Sequence, residues 1–339
     1  MAQDDERDLL LQPLPIRDQF LLNNGFFFFE PEAARVLDDG KWAVTFRISD
    51  ANTFAKSAWV SRSLEGQTTR GDALAELQQP RYAIAPAIFL VHGETQRVEL
   101  GFRRGLGNHL EVGIAIPVQG IGGGWSDRVI EAVHHVLRIG NAEREALLQD
   151  SETVYMRAGG VDYIRARSSG YALGDLAVSA KYELIPFEER NVHLAVSGAL
   201  ELPTGRAATL DGSGSLDAGL QLLASRDFRT VRVHASLGVL RLGPNRPLGT
   251  RAQSVITDTV GVSRLINPRT AATVQLTVSE SPFRNRGMAE FDRRSYQLST
   301  GVQRKIGRST VVYAAFIENL FNYDNSADAG FAWGVGRQF

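Results

Sequence analysis

The chain has 339 residues, with 37 basic against 38 acidic side chains and no cysteine. The absent thiols exclude disulfides, thiolate metal sites and a cysteine nucleophile, and the balanced charge gives no electrostatic basis for binding nucleic acid. No run approaches the roughly 18 apolar residues of a membrane-spanning helix, so a membrane-embedded form would have to be a β-barrel. The acidic start at Met1 lacks the apolar core of a signal peptide, and we expect the sequence to be a mature form.

The first 40 residues do not have the pattern of a spanning strand. Polar and apolar residues are mixed without a period in residues 14–20, and a dense aromatic cluster follows at Phe26, Phe27, Phe28 and Phe29. We predict that residues 1–40 form a plug or hatch folded into the lumen of a barrel. Two alternatives remain open: residues 20–29 are one more strand, or the whole segment is a periplasmic tail.

Residues 41–339 contain segments in which apolar and polar side chains alternate, as expected for strands that separate lipid from a polar lumen. In the first of them Trp42, Val44, Phe46 and Ile48 alternate with smaller or polar residues. The predicted strands lie at about residues 42–48, 98–103, 110–116, 175–184, 192–202, 214–224, 231–241, 254–265, 272–279, 296–305, 310–318 and 330–339. We therefore predict an all-β fold, a transmembrane antiparallel β-barrel of about 12 strands, with 14 as the upper limit.

The lengths of the connections support this prediction. Counted from a periplasmic start, the short connections all fall on one side, near Gly105, Pro186, Arg226, Asn267 and Gly307. The long connections fall on the other side, as short periplasmic turns and long extracellular loops require. A soluble sandwich or up-and-down barrel also alternates, and it remains the structural alternative.

Charged residues on the inner faces of the predicted strands favour a polar lumen over a dry protein core, because unpaired buried charge is costly. Together with Arg17 and the four phenylalanines of the plug, the candidate substrate or lumen residues are Arg47, Arg103, Glu111, Lys181, Glu201, Arg232 and His234. In the pair Arg103 and Arg104, alternation places one side chain inside and the other outside, at the rim or against lipid headgroups.

The chain ends as the last strand of an outer-membrane barrel ends. Phe331, Trp333, Val335 and the terminal Phe339 are predicted to face lipid, with Arg337 interrupting the series. The expected partners are accordingly outer-membrane lipid, lipopolysaccharide and the barrel-assembly machinery, the last through Phe339.

Residues 120–170 form a long extracellular loop with a predicted helix at residues 126–140, which has a serine or aspartate N-cap and a glycine stop. Its buried stripe is predicted to contain Val129, Ile130, Val133 and Leu137. Glu131 and His134 lie one turn apart and could place two metal ligands on one face. The simpler interpretation is a polar helix face, and we predict no metal and no cofactor.

One motif permits an enzyme hypothesis. Outer-membrane phospholipases use a His-x-Ser pair on one strand with an asparagine nearby, and this chain has His234, Ser236 and Asn245. The apolar series on that strand occupies the alternate positions, so His234 and Ser236 are predicted to face the lumen and not the lipid. We therefore predict that the protein is not an enzyme and keep a lipid hydrolase as an alternative.

Several motifs together resemble an uncharacterised family of bacterial outer-membrane proteins, domain of unknown function 3187. They lie at residues 14–20, 127–140, 174–182, 200–206, 212–220 and 318–322. A weaker resemblance links the chain to barrels associated with phenol meta-pathway degradation and to channels similar to the long-chain fatty acid channel. That resemblance implies a lumenal N-terminal hatch and an apolar substrate released sideways into the membrane.

From the strands and the resemblance we predict a porin-like protein in the outer membrane of a Gram-negative bacterium. Its expected function is passive diffusion of a small, hydrophobic or amphipathic molecule through a plugged barrel. The alternative from another class is a structural or adhesive plugged barrel whose loops bind an external partner. Specificity depends on lumen shape and on groups from distant strands, so the sequence alone does not identify the molecule or the oligomeric state.

Overall fold

The computed structural model describes residues 8–67, 69–138, 140–166, 170–185 and 191–339. Fifteen strands form one antiparallel sheet. They are β1 Trp42–Lys56, β2 Ala87–Leu106, β3 Leu110–Gly122, β4 Thr153–Ala158, β5 Val161–Ala166, β6 Ala172–Leu173, β7 Leu176–Ile185, β8 Val192–Leu202, β9 Asp217–Asp227, β10 Val231–Leu242, β11 Gln253–Asn267, β12 Thr270–Ser279, β13 Ser295–Ile306, β14 Thr310–Asn319 and β15 Ala329–Gln338.

Twelve of these strands close into a barrel, which confirms the predicted fold. Strand β3 pairs with β7, strands β7 to β15 follow in chain order, and β15 pairs with β1 from Ala43↔Gln338 to Asn52↔Ala329. The seam is completed by Phe339, whose amide donates to the Trp42 carbonyl at 2.9 Å. Closure leaves these strands without a free edge.

The two ends of the barrel differ. At the end that contains Trp42 and Phe339, called here the turn end, the described connections are residues 107–109, 228–230, 268–269 and 307–309. The turn predicted at residues 186–190 lies outside the described residues. At the opposite end, called the loop end, the connections are longer and include residues 57–86 and 123–175.

Alternation along the strands separates an apolar outer face from a more polar inner face. On β15, Trp333 is 48% exposed and its neighbour Ala332 is 3% exposed. The outer series Phe331, Trp333, Val335 and Phe339 predicted from the sequence is confirmed. Among the described residues, the helices are all too short or too polar to cross a membrane.

At the loop end, β1 and β2 continue beyond the barrel wall and carry an outer layer. Strand β4 pairs with the first part of β2, and β5 pairs with β4. Helices α1 Ala58–Leu64 and α2 Ala73–Leu77 pack with them around Tyr82, which is 1% exposed. Sequence alternation did not reveal this layer, because these parts of β1 and β2 are buried on both faces.

The loop helix α3, Asp127–Leu137, is shorter than predicted. It ends at Arg138, which takes the left-handed conformation at φ 57°, and the predicted glycine stop at residue 140 is wrong. Ser126 occupies the predicted N-cap position, but its side chain makes no capping bond. Within the predicted stripe Ile130 is buried, but Val129 is 43% exposed, and the side chains of residues 133 and 137 lie outside those described.

Candidate functional site

The N-terminal segment, residues 8–40, lies inside the barrel and is buried over most of its length. It rises from the turn end, where Asp8 contacts Arg232 at 2.5 Å, to a single 3-10 turn at Leu21–Gly25 near the loop end. It then descends and meets the wall again through Gly40, whose amide donates to the Gly105 carbonyl at 3.1 Å. Residues 20–29 add no strand to the sheet, which removes the alternative of an additional strand.

Two inner-facing glutamines bind the backbone of the ascending limb. The Gln275 amide accepts from the Leu14 N–H and donates to the Leu14 carbonyl, both at 2.9 Å. Gln297 accepts from the Gln19 N–H at 2.9 Å and donates to the Arg17 carbonyl at 3.0 Å. These side chains satisfy buried backbone groups that have no strand partner. Sequence reasoning did not predict these bonds and placed the two glutamines only on the inner faces of β12 and β13.

The descending limb and the start of the segment carry acids that pair with basic residues of the wall. Glu30 lies 2.8 Å from Arg47, and Glu32 lies 3.1 Å from Lys181. With the Asp8 to Arg232 pair, three ion pairs connect the segment to β1, β7 and β10. The wall residues were predicted, but their acidic partners in the segment were not.

Aromatic residues seal the loop end of the lumen. Phe26 packs edge-on against Phe283 with ring centroids 5.9 Å apart, and Phe20 lies 6.4 Å from Phe291. Phe89 of β2 stacks on Phe291 at 4.3 Å. All five rings are at most 1% exposed, and they join the segment to the β12–β13 loop and to β2. The predicted aromatic cluster of the N-terminal segment therefore contributes to an apolar core inside the barrel.

Glycines on the wall make room for the next rings of the segment. Phe27 and Phe29 lie edge to face at 4.9 Å. A Cβ added at Gly219 would lie 2.7 Å from the Phe29 ring and 2.8 Å from the Phe27 ring, and one at Gly238 would lie 3.0 Å from Phe29. The rings therefore fit against β9 and β10 only where side chains are absent.

A cavity of about 490 Å³ lies between these packed rings and the turn end. Its lining extends from Lys41 and Arg308 at the turn end to Arg17 and Arg97 deep in the lumen. One side is formed by Phe27, Phe28 and Phe29 of the segment, and the other by inner-facing residues of the wall. A volume of this size is typical of a small-molecule site.

Burial in the lumen also perturbs the pKa of Glu30 in the segment. Removal from water raises its pKa to about 7, and the raising effect of the Glu99 carboxylate is opposed by Arg47, Arg97 and Arg17. The ion pair between Glu30 and Arg47 is therefore poised to change its charge near neutral pH.

Three predicted lumen residues lie together. Glu111 is 3.2 Å from the Lys181 ammonium and 3.3 Å from the Arg103 guanidinium, and it accepts from the Leu37 amide at 3.0 Å. This cluster holds the lower part of the descending limb against β3 and β7.

The remaining predicted lumen residues lie apart from that cluster. Arg17 donates to the Asn23 carbonyl at 3.0 Å and to the Phe26 carbonyl, and so closes the turn of the segment. Glu201 is 4% exposed and lines the cavity. His234 is 4% exposed on the inner face, and neither ring nitrogen has a hydrogen-bond partner among the described residues.

The His-x-Ser motif does not assemble with its asparagine. Asn245 lies in the β10–β11 loop, where its backbone N–H donates to the Thr250 hydroxyl at 3.0 Å and its side-chain oxygen accepts from the Leu248 N–H at 3.1 Å. Asn245 therefore organises its own loop. Both His234 and Ser236 belong to the inner-facing set of β10, as predicted.

The predicted helix pair Glu131 and His134 has separate partners. Glu131 forms an ion pair with Arg70 at 2.7 Å, and His134 Nδ1 lies 3.1 Å from the Asn141 amide oxygen. Within the described residues, no group of three or more His, Cys, Asp and Glu side chains is arranged to hold a metal ion.

A buried network of charged and polar side chains, not a metal ion, anchors α3 to the barrel. Asp127 accepts from Asn52 at 3.1 Å, lies 2.9 Å from His92 Nε2 and forms an ion pair with Arg144. Burial alone raises the pKa of a carboxyl group, but the contacts with His92 and Arg144 hold the pKa of Asp127 below its usual range. The helix start is thus fixed by charge-assisted bonds to the barrel rim, a feature that the sequence did not indicate.

The sequence model of the family described as protein of unknown function (DUF3187) matches residues 75–339. A comparison with curated protein sequences gave no match.

Among solved structures, the chain is similar to the COG4313 outer membrane channel from Pseudomonas putida F1. The TM-score is 0.57 at 13% identity, over 91% of this chain and 99% of that chain. It is more distantly similar to the NanC porin, with a TM-score of 0.43 at 8% identity over 87% and 98% of the two chains. For the Ralstonia pickettii toluene transporter TbuX the TM-score is 0.42 at 9% identity, over 89% of this chain and 90% of that chain. The first similarity supports the barrel fold.

Proposed function

The chain belongs to the family described as protein of unknown function (DUF3187), and from its geometry we propose that it is an outer-membrane channel of a Gram-negative bacterium. In this proposal residues 8–40 close the channel at rest. The diffusing molecule is small and apolar or amphipathic, and it moves passively.

The outer face of the barrel supports placement in a membrane. Its strands expose a continuous apolar surface, which includes Leu220, Leu237, Val260 and Trp333. A water-soluble protein rarely exposes an apolar surface of this extent. A closed barrel with such a face and a polar interior is the arrangement that strands adopt in an outer membrane.

The observation that carries the channel proposal is how the segment is held. Apart from the backbone bond of Gly40 at its end, its contacts with the wall are side-chain hydrogen bonds, ion pairs and ring packing, as at Gln275, Arg47 and Gly219. The twelve-strand ladder contains no residue of the segment before β1. Residues 8–40 can therefore leave the lumen without breaking a strand pairing, and the barrel would remain closed as a sheet.

The cavity supports a small and partly apolar cargo. Rings of Phe27, Phe28 and Phe29 line one side of it, whereas the entrance carries charges such as Lys41 and Arg308. Apolar lining favours an apolar body in the molecule, and the polar wall gives places for a head group.

Single-channel conductance in a planar bilayer tests the proposal. The full chain is compared with a chain that lacks the residues before Lys41, and a peptide of residues 8–40 is then added to the shortened protein. A silent full chain, conductance after truncation and silencing by the peptide would support a plugged channel. Steady current through the full chain would identify an open porin, and silence in both would refute the transport path.

Silence in both would favour the second candidate function, recognition of an external partner by the loops. One observation supports it: α3 is rigidly anchored through Asp127, yet its outward surface exposes Val129 at 43% and Val136 at 78%. Changing both valines to serine would then abolish capture of the partner by the intact protein, while Arg128→Gln on the same helix would leave capture unchanged.

A further inference from the structure

Glu201 is a carboxylate in the cavity that makes no structural bond within the described residues. Glu201, near the loop end of β8, is 4% exposed, yet within the described part of the chain it has neither a hydrogen bond nor an ion pair. An unpartnered carboxylate at this depth is costly, since buried polar groups are nearly always hydrogen-bonded.

The neighbouring acids are fully engaged, which sets Glu201 apart. Asp217, its register partner on β9, accepts from the Phe27 amide at 3.1 Å and from the Gly243 amide at 2.7 Å. Glu99 forms ion pairs with Arg47 and Arg97. Structural carboxylates of this lumen are thus saturated by the protein itself.

The nearest basic group of the segment, Arg17, acts on Glu201 through its charge but makes no bond to it within the described residues. The Arg17 guanidinium donates hydrogen bonds to the Asn23 and Phe26 carbonyls. Within the described residues it forms no ion pair with a carboxylate. The acceptor oxygens of Glu201 therefore remain free to bind a group that enters the cavity.

The surroundings of Glu201 define the remainder of the site. The cavity wall on β7 and β8 carries the small residues Ala177, Ser197 and Ala199, and Phe27 and Phe28 lie on the segment side. Small wall residues leave space for a ring or short chain, and the phenylalanines offer it an apolar surface.

We propose that this part of the cavity binds a small apolar molecule whose head group donates a hydrogen bond to Glu201. A protonated amine and a neutral hydroxyl both provide that chemistry, and a carboxylate head does not. The inference rests on the proposed channel function only for the route by which the molecule reaches the cavity.

Three compounds with one ring and different heads test this site: benzylamine, benzyl alcohol and benzoate. Binding to the full-length protein in lipid nanodiscs is measured by saturation-transfer NMR titration, with empty nanodiscs as the blank. The amine and the alcohol are expected to bind, and benzoate is expected not to bind because its head group has no hydrogen to donate to Glu201. Equal binding of all three, or binding of none, would overturn the proposal, and the latter would mean that the cavity holds only water.

The variant Glu201→Gln keeps the size of the side chain and removes its charge. Because charge-assisted hydrogen bonds are about twice as strong as neutral ones, we expect benzylamine affinity to fall by about tenfold or more, whereas benzyl alcohol affinity changes by less than about threefold. Glu65→Gln, the same substitution at an exposed residue just after α1, is the matched control and should change neither. An unchanged benzylamine affinity in folded Glu201→Gln protein would refute the role of Glu201.

The ligand-binding experiment and the conductance experiment can fail independently of each other. Ligand binding without any conductance after truncation would retain the site and reject the channel. Conductance without head-group selectivity would retain the channel and reject the site.

Discussion

At the scale of single residues, Glu30 gives the clearest pH dependence. The raised pKa of about 7 means that the docked segment holds a proton that a free glutamate, with a pKa near 4.5, has already lost. Docking is therefore strongest at acid pH and weakens as the pH rises from about 4.5 to about 7. The charged groups that face Glu30 are Arg17, Arg47, Arg97 and Glu99.

We accordingly expect hydrogen exchange of residues 8–40 to accelerate between pH 5 and pH 8, after correction for the intrinsic rate. The variant Glu30→Gln should remove most of this dependence, because its amide does not titrate. Asp72→Asn, an N-cap in the exposed loop layer, is a control that should leave the segment unaffected. A pH dependence that is unchanged in Glu30→Gln would contradict the assignment.

Gly219 tests the fit of the rings against the wall. Gly219→Leu should displace Phe29 and Phe27, because even a Cβ at this position lies 2.7 Å from a ring carbon. We expect the segment to be destabilised by about 1–3 kcal/mol, the usual cost of overpacking. Protease cleavage within residues 8–40 should become faster. Gly336→Ala, also on the inner face but 3.5 Å from its nearest neighbour, should behave as wild type.

At the scale of elements, alternation located the twelve barrel strands because each has one face in water or protein and one in an apolar environment. It failed in the second half of β1 and the first half of β2, where residues 51–57 and 87–95 are all buried. A continuous apolar run such as residues 87–91 has no period, and β4, which covers it, lies more than 50 residues away. Pairings of this kind are not visible in local sequence.

The helix α3 shows the same limit. Its start was predicted and Ile130 is buried as expected, but Val129 of the predicted stripe is exposed, and Asp127 attaches the helix to the barrel. A buried charge network is built from residues as distant as His92 and Asp328, and sequence spacing carries no information about it.

The anchoring of α3 can be tested directly. Asp127→Asn removes the charge of one of the carboxylates that pair with the buried Arg144, and we expect local destabilisation of about 3 kcal/mol or more. Hydrogen exchange across α3 should accelerate while exchange in the barrel strands is unchanged. Arg128→Gln breaks an exposed pair with Asp150 and should cost at most about 1 kcal/mol, and equal effects of the two variants would refute the network.

At the scale of the whole molecule, the family resemblance noted from sequence motifs is confirmed, and so is the closed barrel. The plug contacts were less accessible to sequence reasoning. Basic wall residues such as Arg47 could be identified by strand period, but their partners Glu30 and Glu32 lie in a segment without a period. Sequence reasoning therefore identifies the lumen residues of the wall, but it misses most of the contacts that the N-terminal segment makes with them.

The outer face also has a charge asymmetry along the barrel axis. Outward arginines lie near the turn end at Arg104, Arg226, Arg264, Arg304 and Arg337. Three of them lie over aromatic rings of the same end: Arg104 on Trp42 at 5.0 Å, Arg226 on Phe228 at 5.3 Å and Arg337 on Phe339 at 4.8 Å. The sequence expectation for the arginine pair holds, since Arg103 is inside and Arg104 outside.

This arrangement predicts a preference for anionic headgroups at the turn end. Each arginine near an anionic surface contributes about 1 kcal/mol, so replacing Arg104, Arg226 and Arg337 by glutamine should cost about 3 kcal/mol of the extra stability in anionic bilayers. The free energy of unfolding is measured by equilibrium folding into anionic phosphatidylglycerol vesicles and into zwitterionic phosphatidylcholine vesicles, and the difference between the two is the extra stability. The triple variant should lose the difference between the two lipids, whereas Arg241→Gln, exposed near the loop end of β10, should retain most of it. Because the arginines are clustered at one end, an equal loss in both variants would show that net charge, and not its position along the barrel, determines the lipid preference.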